Sequence, residues 1–110
     1  MYKRAERGSG MPKFMLMTTL DQKAHISAEG RRTAGKQWLR KVKKLCPGVK
    51  WLAHYAILGP YDFVDIYEAP DVETAHKVSL ISRSAGARTA ESWQVMDYDS
   101  YLKLLEDVNI

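Results

Sequence analysis

The sequence predicts an α+β domain in which a four-stranded antiparallel sheet carries helices on one face, the elements running βαββαβ with one further helix at the end. Three observations predict it. Apolar segments of strand length alternate with segments of helical period. Turn signals at 46–48, 59–60, 70–71 and 86 fall between those segments. The two middle strands are a hairpin apart, whereas each outer strand is reached through a helix, so two right-handed crossovers flank a hairpin.

"KFMLMTTL" (13–20) is short, apolar and rich in strand formers, and reads as the first strand. "DQKAHI" is a loop, after which Ser27 offers an N-cap to a helix running to Leu45, with Glu29 in its first turn. Trp38, Val42 and Leu45 give that helix one apolar stripe, and "CPG" (46–48) ends it. "VKWLAHYAIL" (49–58) and "DFVDIYEA" (62–69) form the hairpin. Asp71 caps a second helix, 72–85, and Gly86 stands where a left-handed C-terminal cap belongs. "RTAESWQVM" (88–96) is the last strand and "DYDSYLKLLEDV" (97–108) a terminal helix. The arrangement is ferredoxin-like. Residues 11–110 form one domain behind a polar, aperiodic stretch, 1–10, that reads as a disordered leader.

Composition narrows the function classes. Hydrophobic residues at 45% and charged residues at 27% of 110 are ordinary globular values. No apolar run approaches the ~20 residues needed to cross a bilayer, so no membrane role is expected. The single cysteine, Cys46, excludes an intrachain disulfide framework and suits a reducing cytoplasm. His25, His54 and His76 are spread out with no Cys partner at ligand spacing, so no metal is expected. No phosphate loop, cofactor fingerprint or nucleophile elbow appears, and no cofactor is implied. The net charge of +4 is concentrated in Arg31, Arg32, Lys36, Arg40, Lys41, Lys43 and Lys44, which reads as a solvated outer face of the first helix. RNA-recognition domains share the element order, and "GPYDFVDI" meets their third-strand motif at Tyr61, Phe63 and Val64. It lacks the leading cation and the glycines and adds Asp62 and Asp65 where phosphates would approach, so no nucleic-acid partner is expected.

The hairpin allows side chains to be sorted by face. With Gly59-Pro60 as a type II′ turn, Ala56 pairs with Phe63, His54 with Asp65 and Leu52 with Tyr67. A four-residue loop keeps the same parity, and only an odd loop or a bulge would change it. One face then holds Trp51, Ala53, Tyr55, Ile57, Val64 and Ile66, the expected helix-covered core. The other holds Leu52, His54, Ala56, Leu58, Tyr61, Phe63, Asp65 and Tyr67, expected to lie uncovered. An uncovered aromatic face needs a cover, and a second copy of the chain is the simplest, giving a homodimer.

"LGPYDFVDIYEAPD" (58–71) resembles the signature of the GYD domain family, the motif being Gly59, Tyr61 and Asp62 with Pro60 inserted, and the resemblance spans about 11–108. It implies a dimeric α+β barrel, grouped with small monooxygenases, isomerases and ligand-sensing domains, and carries no established activity. Small apolar residues are usual in that family where Asp65 stands. The function expected is binding of a small, partly apolar ligand in a cavity on the uncovered face at the dimer interface, by His54, Tyr61, Phe63, Asp65 and Tyr67. His54 and Asp65 are also the candidates for catalysis, a carboxylate orienting an imidazole base. The alternatives are a face used for dimerisation alone, or a cofactor-free oxygenase or isomerase by fold analogy.

Overall fold

A computed structural model describes residues 10–21 and 27–109. Within them β1 (Lys13–Leu20), α1 (Ala28–Leu45), β2 (Lys50–Ala56), β3 (Phe63–Glu68), α2 (Val72–Ser84), β4 (Ala87–Val95) and α3 (Tyr98–Asp107) follow the expected order. The strands form one antiparallel sheet in the order β2-β3-β1-β4, with β1 and β3 central. The expected leader, apart from Gly10, and His25 lie outside the described residues.

The helix boundaries rest on the side chains that predicted them. Ser27 accepts a hydrogen bond from the Gly30 amide at 3.0 Å, satisfying one of the free donors at the start of α1. Asp71 accepts from both the amide and the hydroxyl of Thr74, at 2.7 and 2.6 Å. Those two bonds hold its carboxyl below the usual aspartate range. Gly86 ends α2 at φ 104°, in the region that favours glycine. Asp97 precedes α3 without capping it and instead accepts a charged hydrogen bond from Lys13 at 3.3 Å.

The hairpin differs from a two-residue turn. The Ile57 amide donates to the Asp62 carbonyl at 2.9 Å, bracketing a four-residue loop, 58–61. Gly10 and Gly86 are the described glycines at positive φ, so Gly59 does not supply the type II′ geometry. The even loop length preserves the pairs Ala56–Phe63 and His54–Asp65 as expected. Further along, an extra residue at Leu52 shifts the register, and Trp51 rather than Leu52 opposes Tyr67. This bulge transfers Trp51 to the face of Asp65 and Tyr67.

The two faces are the reverse of the expectation. Phe14, Leu16 and Tyr67 pack with Val42 of α1 and with Ala75, Val78 and Ile81 of α2, so the Asp65 face is the one beneath the helices. Tyr67, Leu16, Val42 and Val78 are fully buried, each removing apolar surface worth about 1.5–3 kcal/mol. Rings run across the sheet face, Phe14–Tyr67 at 5.5 Å and Trp51–Tyr67 at 5.1 Å, and Trp38–Trp51 at 5.0 Å joins them to α1. Val64 and Ile66 share the uncovered face with Tyr55 and, across β1, with Met15, Met17, Glu91 and Trp93. Both faces are apolar enough to serve as a core. Local alternation therefore separates them without saying which one the crossovers cover.

Candidate functional site

The two long helices sit differently on the sheet. α2 meets the sheet with Ala75, Val78, Ile81 and Ser82, and its Ser79 hydroxyl lies 2.8 Å from that of Ser92 in β4. α1 packs beside α2, and none of its Cα atoms comes within 8 Å of a strand Cα. The reason is Trp38. Its indole N–H donates to Ser82 at 2.8 Å, and its ring leans on Trp51 at a tilt of 58°, so a pair of indoles props α1 away from β2.

Around that prop, between α1 and the sheet, lies a cleft of about 920 Å³. Its helix wall is the stripe Arg31, Ala34, Gly35, Trp38 and Leu39, the spacing of one helical face. Ala34 and Gly35 bring no bulk to the middle of that wall, and a Cβ at Gly35 would meet no atom within 4 Å. The sheet wall is Trp51, Leu52, His54, Phe63, Asp65 and Thr18. The expected site residues are thus divided. His54, Phe63 and Asp65 come together in a single chain's cleft under α1, not on the uncovered face.

Asp65 is buried, and its Oδ1 lies 2.6 Å from Nδ1 of the exposed His54 ring. Burial pushes the Asp65 carboxyl up from its ordinary value, and the charge and hydrogen bond of His54 pull it back. An imidazole donating Nδ1–H to a carboxylate keeps Nε2 as its remaining polar atom. The His54 ring stacks on Phe63 at 5.5 Å, and the Arg31 guanidinium lies over the same phenyl ring at 5.1 Å. The arrangement can orient an imidazole, stack a flat group and attract an anion. Among the described residues no group of three His, Cys, Asp or Glu side chains could hold a metal ion.

Tyr67 is removed from the cleft. It is fully buried, its hydroxyl is 2.7 Å from that of Ser92, and burial pushes the phenol up to about 12. Tyr61 lies on the other side of the sheet, edge-on to Trp93 at 5.7 Å and donating to Glu91 at 3.3 Å. It leaves the face of Phe63 because it precedes the strand, in the loop. The same separation parts the two aromatics on which an RNA-recognition reading relied. Asp62 acts on backbone: its carboxylate accepts from the Leu20 amide at 2.7 Å and its own amide donates to the Thr18 carbonyl at 2.8 Å. Cys46 is a buried thiol, pushed up by burial. Arg31, Gly35, Trp38 and Trp51 were not anticipated as site residues. The spacing of Arg31, Ala34, Trp38 and Leu39 was the available signal, obscured because Arg31 belongs to a run of cations whose other members are exposed.

The profile of the GYD domain matches residues 14–105. This chain belongs to the GYD domain family. Among proteins similar to this GYD domain is one from Thermus thermophilus, the "glutamine synthetase and cystathionine beta-lyase binding protein", 34% identical over 101 residues. That alignment covers 84% of this chain and all of the relative. Among solved structures, MtbAldR shares the fold with a TM-score of 0.58 at 13% identity. The likeness covers 88% of the GYD chain, which spans 61% of the length of that protein. No described helix is long and apolar enough to cross a membrane.

Proposed function

We propose that this GYD domain is a binding module that takes a small, partly apolar ligand in the cleft between α1 and the sheet. The observation that carries the proposal is the prop. Trp38 and Trp51 hold the helix off the sheet and leave about 920 Å³ walled by aromatic and aliphatic side chains, within the range of sites for small molecules. His54, Phe63 and Asp65 are the sheet-side contacts. Turnover by an oriented His54 is a further step that needs a reacting partner for the imidazole, and binding does not need it.

The uncovered face belongs to assembly in this proposal. Tyr55 is 60% exposed and Trp93 44%, and a second copy would cover both and make a homodimer. Light scattering checks it: a dimer at micromolar concentration is expected, and Tyr55→Glu should give a monomer. A cytoplasmic location fits a buried free thiol.

Thermal unfolding against a panel of small aromatics and fatty acids tests the ligand proposal. A ligand present at ~100 times its Kd adds about 2.7 kcal/mol of apparent stability. A flat response across the panel would sink it. A second reading is favoured by the Thermus relative, aligned over its whole length: the domain binds other enzymes, and its exposed aromatic face is the docking surface. Titration of purified glutamine synthetase and cystathionine beta-lyase against the domain checks that reading.

A further inference from the structure

We infer that the ligand of the cleft is an aromatic carboxylate, with Arg31 receiving its carboxylate group. The inference rests on the binding proposal above and adds the chemical class of the ligand. It follows from the charges that line the cleft and from where each sits. Arg31, Arg32, Lys36 and Lys43 line it, against one carboxylate, Asp65. Asp65 is hydrogen-bonded to His54 at 2.6 Å, and among the described residues no ion pair joins it to any of the four cations.

Arg31 differs from the other three. Arg32, Lys36 and Lys43 are exposed, whereas Arg31 is half-buried with its guanidinium over the Phe63 ring. Among the described residues no carboxylate pairs with it. A guanidinium lying on a ring keeps its N–H edge available, and that edge matches a carboxylate with two parallel hydrogen bonds. A ligand that closed the cleft without an anion would take water from this group and return nothing. A cationic ligand would meet four cations along the helix wall.

The remainder of the cleft selects for a flat body. Trp38, Trp51 and Phe63 offer ring surfaces, and Gly35 opens the helix wall between Arg31 and Trp38 where any longer side chain would project. A planar ring between those walls places a short carboxylate arm toward the first turn of α1.

Three probes of one shape and different charge test this: indole-3-acetate, indole and tryptamine, titrated calorimetrically into the full chain. Indole-3-acetate is expected to bind once per chain and at least tenfold more tightly than indole, with tryptamine weaker than either. The advantage should shrink as salt is raised. Arg31→Met should remove the advantage and keep the indole affinity, and Arg31→Lys should restore part of it. Gly35→Trp, which fills the cleft from its open wall, should abolish binding of all three while the chain still unfolds cooperatively. Arg40→Gln, on the outer face, should change none of this. Equal affinity for indole and indole-3-acetate, or an advantage that survives Arg31→Met, overturns the inference and leaves the binding proposal standing. Failure of all three probes, when neutral compounds of the thermal panel do bind, overturns it as well. Failure of both sets of compounds overturns the two together.

Discussion

α1 and α2 cover the same face of one sheet, yet only α2 closes on it. α2 meets the strands with Ala75, Val78, Ile81 and Ser82, all buried, and seals its half of the layer. α1 contributes one fully buried side chain, Val42, at its C-terminal end, and otherwise stands on Trp38. Side-chain size at the contact sets the separation of packed layers. A helix whose inward residues are no larger than isoleucine approaches closely, and one carrying an inward indole is held off. The cleft is thus specified by the bulk of Trp38 and by its absence at Ala34 and Gly35. It is not a leftover of poor packing.

Substitutions on the two sides can break or sharpen that contrast. The largest effect belongs to the sealed side. Tyr67→Ala removes a fully buried ring and its bond to Ser92 and should cost about 3–5 kcal/mol in denaturant unfolding. Trp38→Ala should cost less, below ~3 kcal/mol, because the ring is only partly buried and α1 can settle into the space. It should also eliminate ligand binding. Equal costs for the two would show that α1 is packed as firmly as α2 and would end the prop argument.

A smaller effect, read as a slope, concerns Asp65. Its folded-state carboxyl is raised by burial above an ordinary value of 3.8, so between the ordinary and the raised value the folded chain keeps a proton that the unfolded chain has lost. Stability contributed by the protonated form is complete below that ordinary value and is lost as pH rises through the raised one. Relative to Asp65→Asn, the unsubstituted chain should therefore lose stability on going from about pH 4 towards neutrality. The opposite slope would mean that His54 outweighs burial. The smallest effect is at Gly35. In a helix interior with open space at its Cβ, Gly35→Ala should stabilise by about 0.5–1 kcal/mol while narrowing the cleft. A destabilised variant would show that Gly35 is needed for packing and not for room.

The legible parts of this molecule were the ones written in short-range pattern. Ser27 and Asp71 marked the helix starts, Gly86 marked the end of α2, and both caps form with the bonds expected of them. The pair His54–Asp65 followed from counting residues across an even loop, and the count survived a loop twice as long as the one assumed. What misled was Tyr61, assigned by strand parity although it stands in the loop, and Trp51, moved across the sheet by one extra residue at Leu52. A bulge has no reliable mark in a sequence when both faces of a strand are apolar.

The element order, the caps, the pairing of His54 with Asp65 and their sharing of a face with Phe63 are all readable from the chain. These depend on interactions between residues close along the chain or related by a single turn. That this face lies under the helices, that Tyr67 belongs to the core and that Arg31 reaches the ring of Phe63 emerge from the folded packing alone. Those outcomes turn on which side of the sheet the crossovers take and on how far one tryptophan holds a helix from it. Both are set by packing between segments distant in sequence, for which alternation along a strand carries no sign.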